Sequence, residues 1–134
     1  MSGVSTILGS GDDTWPGAGV SNAGNDTVDG ANGNDSLVGG NGNDSLVGGN
    51  GTDIVSYADA GAGITITLTA AGAGTTAGAA GSDSLTGIEW WLGSDYADTI
   101  NGSSVASDTL MGGGGNDSIV ADGFNDSVLG GEGD

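Results

Sequence analysis

Aspartate residues recur at nine-residue intervals in the first half of the sequence, at Asp26, Asp35, Asp44 and Asp53. The 134-residue chain has 18 acidic side chains and no Lys, Arg or His, so its formal net charge is −18. No side chain of the protein can neutralise these carboxylates. The pattern predicts that oxygen ligands bind a cation, and the competing interpretation is a solvated, disordered acidic segment.

The residue types that are absent narrow the choice of cation and of partner. Without Cys and His, the chain lacks the usual ligands of zinc, haem and iron–sulfur clusters, and most nucleophile–base pairs. Hard cations with oxygen ligands remain. The uniform negative charge argues against nucleic acid and anionic membrane surfaces as partners. Membrane insertion is not expected either, because no apolar run approaches the ~18 residues that a bilayer requires.

Short strands separated by Gly-rich turns are the elements that must position the carboxylates. A nine-residue period does not fit a helix, in which each Gly would cost about 1 kcal/mol. Residues two apart in a strand share a face, and an apolar residue follows each Asp by two positions. These apolar positions are Val28, Leu37, Leu46, Val55, Leu85, Ile100, Leu110, Ile119 and Val128. Two units predict one coil of 18 residues, with Asp26 stacked on Asp44 and Asp35 on Asp53.

Three segments match the pattern G-G-x-G-x-D-x-U-x in full, where U is a large apolar residue. They are GGNGNDSLV at 39–47, GGNGTDIVS at 48–56 and GGGGNDSIV at 112–120, and GANGNDSLV at 30–38 departs only at its second Gly. Over residues 9–134 the sequence resembles the RTX (repeats-in-toxin) hemolysin-type calcium-binding family, whose nonapeptide repeats form a β-helix. The resemblance implies an all-β fold, a right-handed parallel β-roll or β-helix solenoid with Ca²⁺ ions between stacked turns.

The resemblance also implies which atoms bind calcium. In the family, the Gly-rich turn supplies backbone carbonyls and the Asp supplies a carboxylate, and each ion lies between turns of successive coils. Two turns depart from the pattern, since Phe124 takes a Gly position in 121–126 and the turn 103–108 has no Gly, so we expect distorted or empty sites there. The predicted ligands of several Ca²⁺ ions are Asp13, Asp26, Gly33, Asp35, Gly42, Asp44, Gly51, Asp53, Asp98, Asp108, Gly115, Asp117 and Asp126.

The middle of the chain keeps the resemblance but loses the strict period. Ile64, Ile66 and Leu68 alternate with Thr, which predicts a half-buried strand. The Gly, Ala and Thr residues of 70–81 are expected to form a loop that bulges from this coil. Asp13 and Asp26 are thirteen residues apart, so WPGAG at 15–19 is expected to bulge as well. The predicted organisation is a single RTX β-roll over 1–134, with regular repeats at 22–57, a degenerate longer coil at 58–102 and regular repeats at 103–134.

Other side chains admit different functions. Trp15, Trp90 and Trp91 could stack on sugars, so a weak carbohydrate-binding module is one alternative, although one Trp of the adjacent pair is expected to pack in the core. Paired carboxylates could catalyse glycoside hydrolysis. Because the metal turns use these carboxylates, we expect no enzyme activity and no catalytic residue.

The leading functional prediction is a secreted structural module that folds on binding Ca²⁺. Calcium sites of extracellular affinity would be filled outside the cell or at its surface, but not in the cytosol. The main alternative is the repeat region of a type I-secreted toxin, protease or lipase. From the residues at its two ends we expect neither a cleavable N-terminal signal nor a C-terminal export segment, so the export route stays open.

The last repeat, GGEGD at 130–134, ends one residue before the position of the motif's Asp, because Asp134 stands at the fifth motif position. We expect a fragment of a longer protein, an array designed from family repeats, or a subunit whose turn a neighbour completes. In the third case the chains would join head to tail into a homo-oligomer, an extracellular filament or a surface layer.

Overall fold

Short β-strands make up the regular structure of the protein. The computed structural model describes residues 3–16, 23–123 and 125–133, and within these ranges it contains strands and turns but no helix. The strands are β1 (Ser5–Ser10), β2 (Thr14–Trp15), β3 (Thr27–Asn32), β4 (Ser36–Leu37), β5 (Ser45–Val47), β6 (Ile54–Ser56), β7 (Ile64–Ala70), β8 (Ala73–Gly78), β9 (Ser84–Thr86), β10 (Trp90–Leu92), β11 (Thr99–Asn101), β12 (Thr109–Met111), β13 (Ser118–Val120) and β14 (Ser127–Leu129). No helix that could cross a membrane occurs in these ranges.

Two sheets contain all the strands and share one core. The wide sheet has eight strands in the order β1-β3-β5-β9-β8-β7-β11-β13, and the narrow sheet has six in the order β14-β12-β10-β6-β4-β2. Every strand pair of the narrow sheet is parallel. Outside the segment from β7 to β9, which stays in the wide sheet, the chain passes from one sheet to the other at each turn and so forms a coil. The prediction of an all-β parallel solenoid is confirmed.

The parallel register places equivalent repeat residues side by side. Val28 pairs with Leu46 in the wide sheet, and Leu37 pairs with Val55 in the narrow sheet. The predicted apolar positions from Val28 to Leu110 are all buried, and each contributes about 1.5–3 kcal/mol by leaving water. Ile119 is partly buried and Val128 is 47% exposed, because their strands β13 and β14 lie at the outer edges of the two sheets.

The prediction of a loop at 70–81 is wrong. Within it, Ala73–Gly78 forms β8, which pairs antiparallel with both β7 and β9. Its inward residues include Gly74 and Thr76, so the large apolar side chains that mark the other strands are missing. Pairing along both edges satisfies the backbone of β8 instead. The half-buried strand predicted around Ile66 is confirmed as β7.

The hairpin makes the wide sheet two strands wider than the narrow sheet, and large side chains fill the core there. Trp91 and Tyr57 are the largest fully buried side chains of the described residues. The Trp91 ring lies against Gly74 of β8, where an added Cβ would meet a ring carbon at 3.0 Å. Trp90 points outward and is 44% exposed. One Trp of the pair therefore packs in the core, as predicted.

Candidate metal centre

An acidic residue comes directly before nearly every strand, and the coils stack these residues into two columns. We call them the wide-sheet column and the narrow-sheet column, after the strands that follow. The wide-sheet column consists of Asp26, Asp44, Asp83, Asp98 and Asp117. The narrow-sheet column consists of Asp13, Asp35, Asp53, Glu89, Asp108 and Asp126. Carboxylates that are 18 residues apart in the repeats thus become neighbours in a column.

One oxygen of each repeat carboxylate has a backbone partner. The Asp26 N–H donates to Oδ1 of Asp44 at 2.8 Å, and the Asp35 N–H donates to Oδ1 of Asp53 at 2.7 Å. The same bond joins Asp13 to Asp35, Asp98 to Asp117 and Asp108 to Asp126. These bonds tie successive repeat turns together within each column, which also fixes where the second oxygen lies.

The second oxygen of six Asp side chains is buried and accepts no hydrogen bond from the described residues. These are Oδ2 of Asp26, Asp35, Asp44, Asp53, Asp117 and Asp126. Burying a charged group without a partner costs several kcal/mol, so a fold that repeats this feature needs another source of compensation. A cation with oxygen ligands would supply it.

Glycine at the first motif position brings a carbonyl oxygen beside the unpaired carboxylate oxygen. A Cβ on Gly30 would meet both Asp35 Oδ2 and the carbonyl oxygen of Gly48 one coil later. The same arrangement surrounds Gly48 with Asp53 and Gly87, and Gly112 with Asp117 and Gly130. Carboxylate and carbonyl oxygens from successive coils are the donor types that calcium prefers, so the residues present fit this metal.

Among the described residues, no three acidic side chains converge on one point. A calcium ion here would therefore need backbone carbonyls to complete its six to eight oxygen ligands. The predicted ligand glycines have left-handed φ angles, for example +122° at Gly33 and +98° at Gly115. The carbonyl of Gly33 faces Gly51 in the next coil, and that of Gly115 faces Gly133. The turn conformation therefore aims carbonyls along the column.

The negatively charged carboxylates within each column repel one another. The pKa of the Asp44 carboxyl is raised from its usual 3.8 to about 6. Burial is the main cause, the hydrogen bond from the Asp26 N–H lowers the pKa, and the charges of Asp83 and Asp26 contribute to raising it. Burial likewise raises the pKa of Asp53 and of Asp108. A bound cation would reverse this preference by favouring the ionised carboxylates.

Comparison with protein families agrees with this geometry. A model of the RTX calcium-binding nonapeptide repeat matches in four copies, over residues 20–55 and 105–134. The chain belongs to the RTX calcium-binding repeat family. No curated protein sequence matches it.

Two members of the RTX columns were missed by sequence reasoning. Asp83 accepts the Asp44 N–H at 2.9 Å, and Glu89 accepts the Asp53 N–H through Oε2 at 2.9 Å. The available signal was the inward residue two positions later, which is Leu85 after Asp83 and Trp91 after Glu89. The carbonyls of the first-position glycines Gly48, Gly87, Gly112 and Gly130 were also missed, because the predicted ligand glycines were all at the fourth motif position.

Three predicted RTX ligands differ from the six Asp residues with an unpaired oxygen. Both oxygens of Asp98 already accept hydrogen bonds, from Ile64 and from the backbone and hydroxyl of Ser94. Asp108 Oδ2 accepts the Ser103 N–H at 3.3 Å in the turn without Gly. Asp13 is only half buried. Calcium binding by these three, as by the other predicted ligands, stays a prediction.

Two other expectations concern residues beyond the described ranges. Phe124, where a distortion was predicted, and residues 17–19 of the predicted bulge WPGAG lie outside the part of the chain that the structure describes. Of the three Trp residues that could stack on sugars, Trp15 and Trp91 are buried and only Trp90 is exposed. Trp90 lines a shallow cavity with Ile54, Thr52 and Asn34 on the outer face of the narrow sheet.

Proposed function

We propose that this RTX β-roll is a structural module whose fold is completed by several Ca²⁺ ions bound along the two columns. The observation that supports it best is the repeated pair of a buried, unpaired Asp Oδ2 and a carbonyl oxygen of the next coil, as at Asp35 and Gly48. Bound calcium neutralises the carboxylates and bridges successive coils. The proposal assigns the metal a structural role and the module no catalytic one.

The residues proposed to hold calcium fall into two groups. The six Asp side chains with an unpaired Oδ2 are the first group, with carbonyls such as those of Gly48 and Gly130. The predicted ligands Gly33, Gly42, Gly51 and Gly115 supply further carbonyls in the same turns. The second group consists of Asp13, Asp98 and Asp108, whose carboxylates are less buried or already hydrogen-bonded, and we propose that they bind more weakly.

Calcium concentration would then control folding. Two unit charges about 5 Å apart repel by roughly 3 kcal/mol at an effective dielectric of 20, and the columns repeat this penalty in every coil. One site at a free calcium concentration of 100 times its Kd adds about 2.7 kcal/mol of stability. Several sites together therefore add stability of the same order as the repulsion. Because calcium is abundant outside cells, the proposed location is extracellular or at the cell surface.

The test is a calcium titration of three variants by calorimetry and equilibrium dialysis. Asp35→Asn and Asp53→Asn remove the charge but keep an oxygen that can accept the backbone N–H. We expect each to lower the number of bound ions or to weaken calcium at least tenfold. Asp59→Asn is the matched control, because Asp59 is exposed and lies outside both columns. Equal calcium binding by all three variants would refute the proposal.

A second proposal, end-to-end assembly of the module, is supported by the surface beyond β13 and β14. Each of these strands pairs on one side only within the described chain. A cavity of about 290 Å³ between them is lined by Asp117, Ile119 and Val128, and Leu129 is 52% exposed. Another coil, from a second copy of the chain, would cover apolar surface here and pair with the open strand edges.

Sedimentation velocity in 5 mM Ca²⁺, and then in EDTA, tests this assembly. We expect calcium-dependent species larger than a monomer, which Val128→Lys should abolish while leaving the calcium-induced β content intact. A compact monomer at all concentrations would contradict assembly. It would favour the alternative that the module is the repeat region of a type I-secreted toxin, protease or lipase.

A further inference from the structure

Asp83 occupies its column in the same way as the repeat Asp residues. Its Oδ1 accepts the Asp44 N–H at 2.9 Å, as Asp44 Oδ1 accepts the Asp26 N–H, and Asp83 is only 3% exposed. Gly78 and Gly81 precede it at the spacing of the first and third motif glycines, and Gly81 has a left-handed φ of +115°. Spacing alone would therefore predict another calcium turn at 78–83.

The second oxygen of Asp83 has protein partners, unlike that of Asp35. Its Oδ2 accepts the Tyr57 hydroxyl at 2.7 Å and the Thr76 hydroxyl at 2.9 Å. Tyr57 is 1% exposed and Thr76 is 4% exposed, so both bonds are shielded from water. Burial raises the pKa of Tyr57 above its usual 10.0, which keeps the hydroxyl a donor. Two neutral donors thus satisfy the atom that is unpaired in the repeats.

The backbone around Asp83 also departs from the repeat turns. In a repeat, a Cβ on the first glycine would meet the Oδ2 of its own Asp, as Gly39 meets Asp44. A Cβ on Gly78 would instead meet the Gly63 carbonyl and Ile64. The reason is that the chain enters this turn from the antiparallel strand β8. The carbonyl side of the calcium cradle is therefore not formed at Asp83.

We infer that the Tyr57 and Thr76 hydroxyls take, at Asp83, the role that calcium takes at the repeat Asp residues, so that this turn is a calcium-independent joint within the β-roll. The inference rests on the proposed function, because it concerns which turns bind the ion. The joint holds the β7–β8 hairpin to the neighbouring repeat without metal. On the other flank of the hairpin, the Ser94 hydroxyl and N–H also donate to the Asp98 carboxylate, which agrees with the weaker calcium binding proposed there.

Calcium counting on matched Asn variants tests the inference. In equilibrium dialysis at saturating calcium, we expect Asp83→Asn to bind as many ions as the natural sequence, whereas Asp35→Asn binds fewer or binds at least tenfold more weakly. An equal loss in both variants would overturn the inference, because Asp83 would then be a calcium ligand. Full binding by Asp83→Asn together with a loss in Asp35→Asn supports both proposals.

A second readout does not depend on calcium counting. Tyr57→Phe removes one of the two donors, and Tyr96→Phe is the control, because Tyr96 is the second of the two tyrosines and is 49% exposed. In saturating calcium we expect Tyr57→Phe to lower the melting temperature by roughly 4 °C without changing the number of bound ions. We expect Tyr96→Phe to change neither the melting temperature nor the number of bound ions. Equal melting of both variants would overturn the inference. If the natural sequence binds no calcium, the proposed function fails, and this melting comparison still decides the inference.

Discussion

At the scale of single residues, Ala31 shows what the glycine pattern of the repeats does. It replaces the second motif glycine and adopts a φ of +74°, whereas its equivalents Gly40 and Gly49 have φ of +85° and +111°. The left-handed conformation costs a side chain with a Cβ about 1–2 kcal/mol. Ala31, the one departure from the motif in 30–38, therefore adopts the backbone conformation of the repeat glycines, and this conformation is strained for a residue with a Cβ.

Replacing Ala31 with Gly should stabilise the calcium-bound protein by about 0.5–1 kcal/mol, because relief of the strain exceeds the extra entropy of Gly in the unfolded chain. Thermal unfolding at saturating calcium measures the change. Ala97→Gly is the control, since Ala97 has no left-handed φ to relieve and should gain nothing. A lower melting temperature for Ala31→Gly than for the natural sequence would contradict the explanation.

Protons should partly substitute for calcium at Asp44. Its pKa in the folded, metal-free chain is about 6 because of burial, against 3.8 as its usual value. A raised folded-state pKa contributes stability that is present below pH 4 and lost as the pH rises through 6. In EDTA, β content measured by circular dichroism should therefore increase as the pH falls from 8 to 4, and less so in Asp44→Asn. Loss of β content on acidification would contradict this sign.

At the scale of elements, the β7–β8 hairpin changes the core that the repeats build. The repeats bury one Val, Leu or Ile per strand, whereas β10, opposite the hairpin, buries Trp91, and Tyr57 is buried directly after β6. Packing of the Trp91 ring against Gly74 ties β10 to β8 across the core. The hairpin is thus part of the solenoid and not an appendage to it.

Trp91→Ala should destabilise the calcium-bound fold by about 3–5 kcal/mol, because the two sheets cannot close the cavity that it leaves. Trp90→Ala should cost less than about 1 kcal/mol, since that side chain is 44% exposed on the same strand. Urea unfolding in saturating calcium compares the two variants. Similar losses in both would show that the hairpin does not depend on the core packing described.

At the scale of the whole molecule, the period of the sequence predicts most of the fold. A repeat of 18 residues per coil fixes the register, the inward residues from Val28 to Leu110 and the stacking of Asp26 on Asp44. Each of these follows from local turn chemistry and strand alternation. They repeat at constant spacing, so one correct unit predicts the others.

The parts that could not be predicted lie where the spacing changes. Asp44 contacts Asp83 across 39 residues, because the hairpin is inserted between the two turns. The strand β8 carries Gly74 and Thr76 inward and is held by its neighbours on both sides, so no apolar alternation marks it. Whether Asp83 has an unpaired oxygen depends on Tyr57 and Thr76, which only the folded chain brings to it.

The coupling of calcium to folding is the central claim for the molecule as a whole. The chain has 18 acidic side chains and no basic ones, and its buried columns hold six carboxylate oxygens without a partner among the described residues. Neutralisation must come from outside the chain. The fold should therefore depend on a cation to a degree that an ordinary globular domain of this size does not.

The most direct measurement is far-UV circular dichroism with small-angle scattering of the purified chain at pH 7.5, first with calcium and then after excess EDTA. We predict a compact, β-rich protein with calcium and an expanded chain with little β structure after EDTA, restored by adding calcium but not by magnesium, which prefers a smaller and more rigid octahedral site. The same compactness and β content in both conditions would contradict the account.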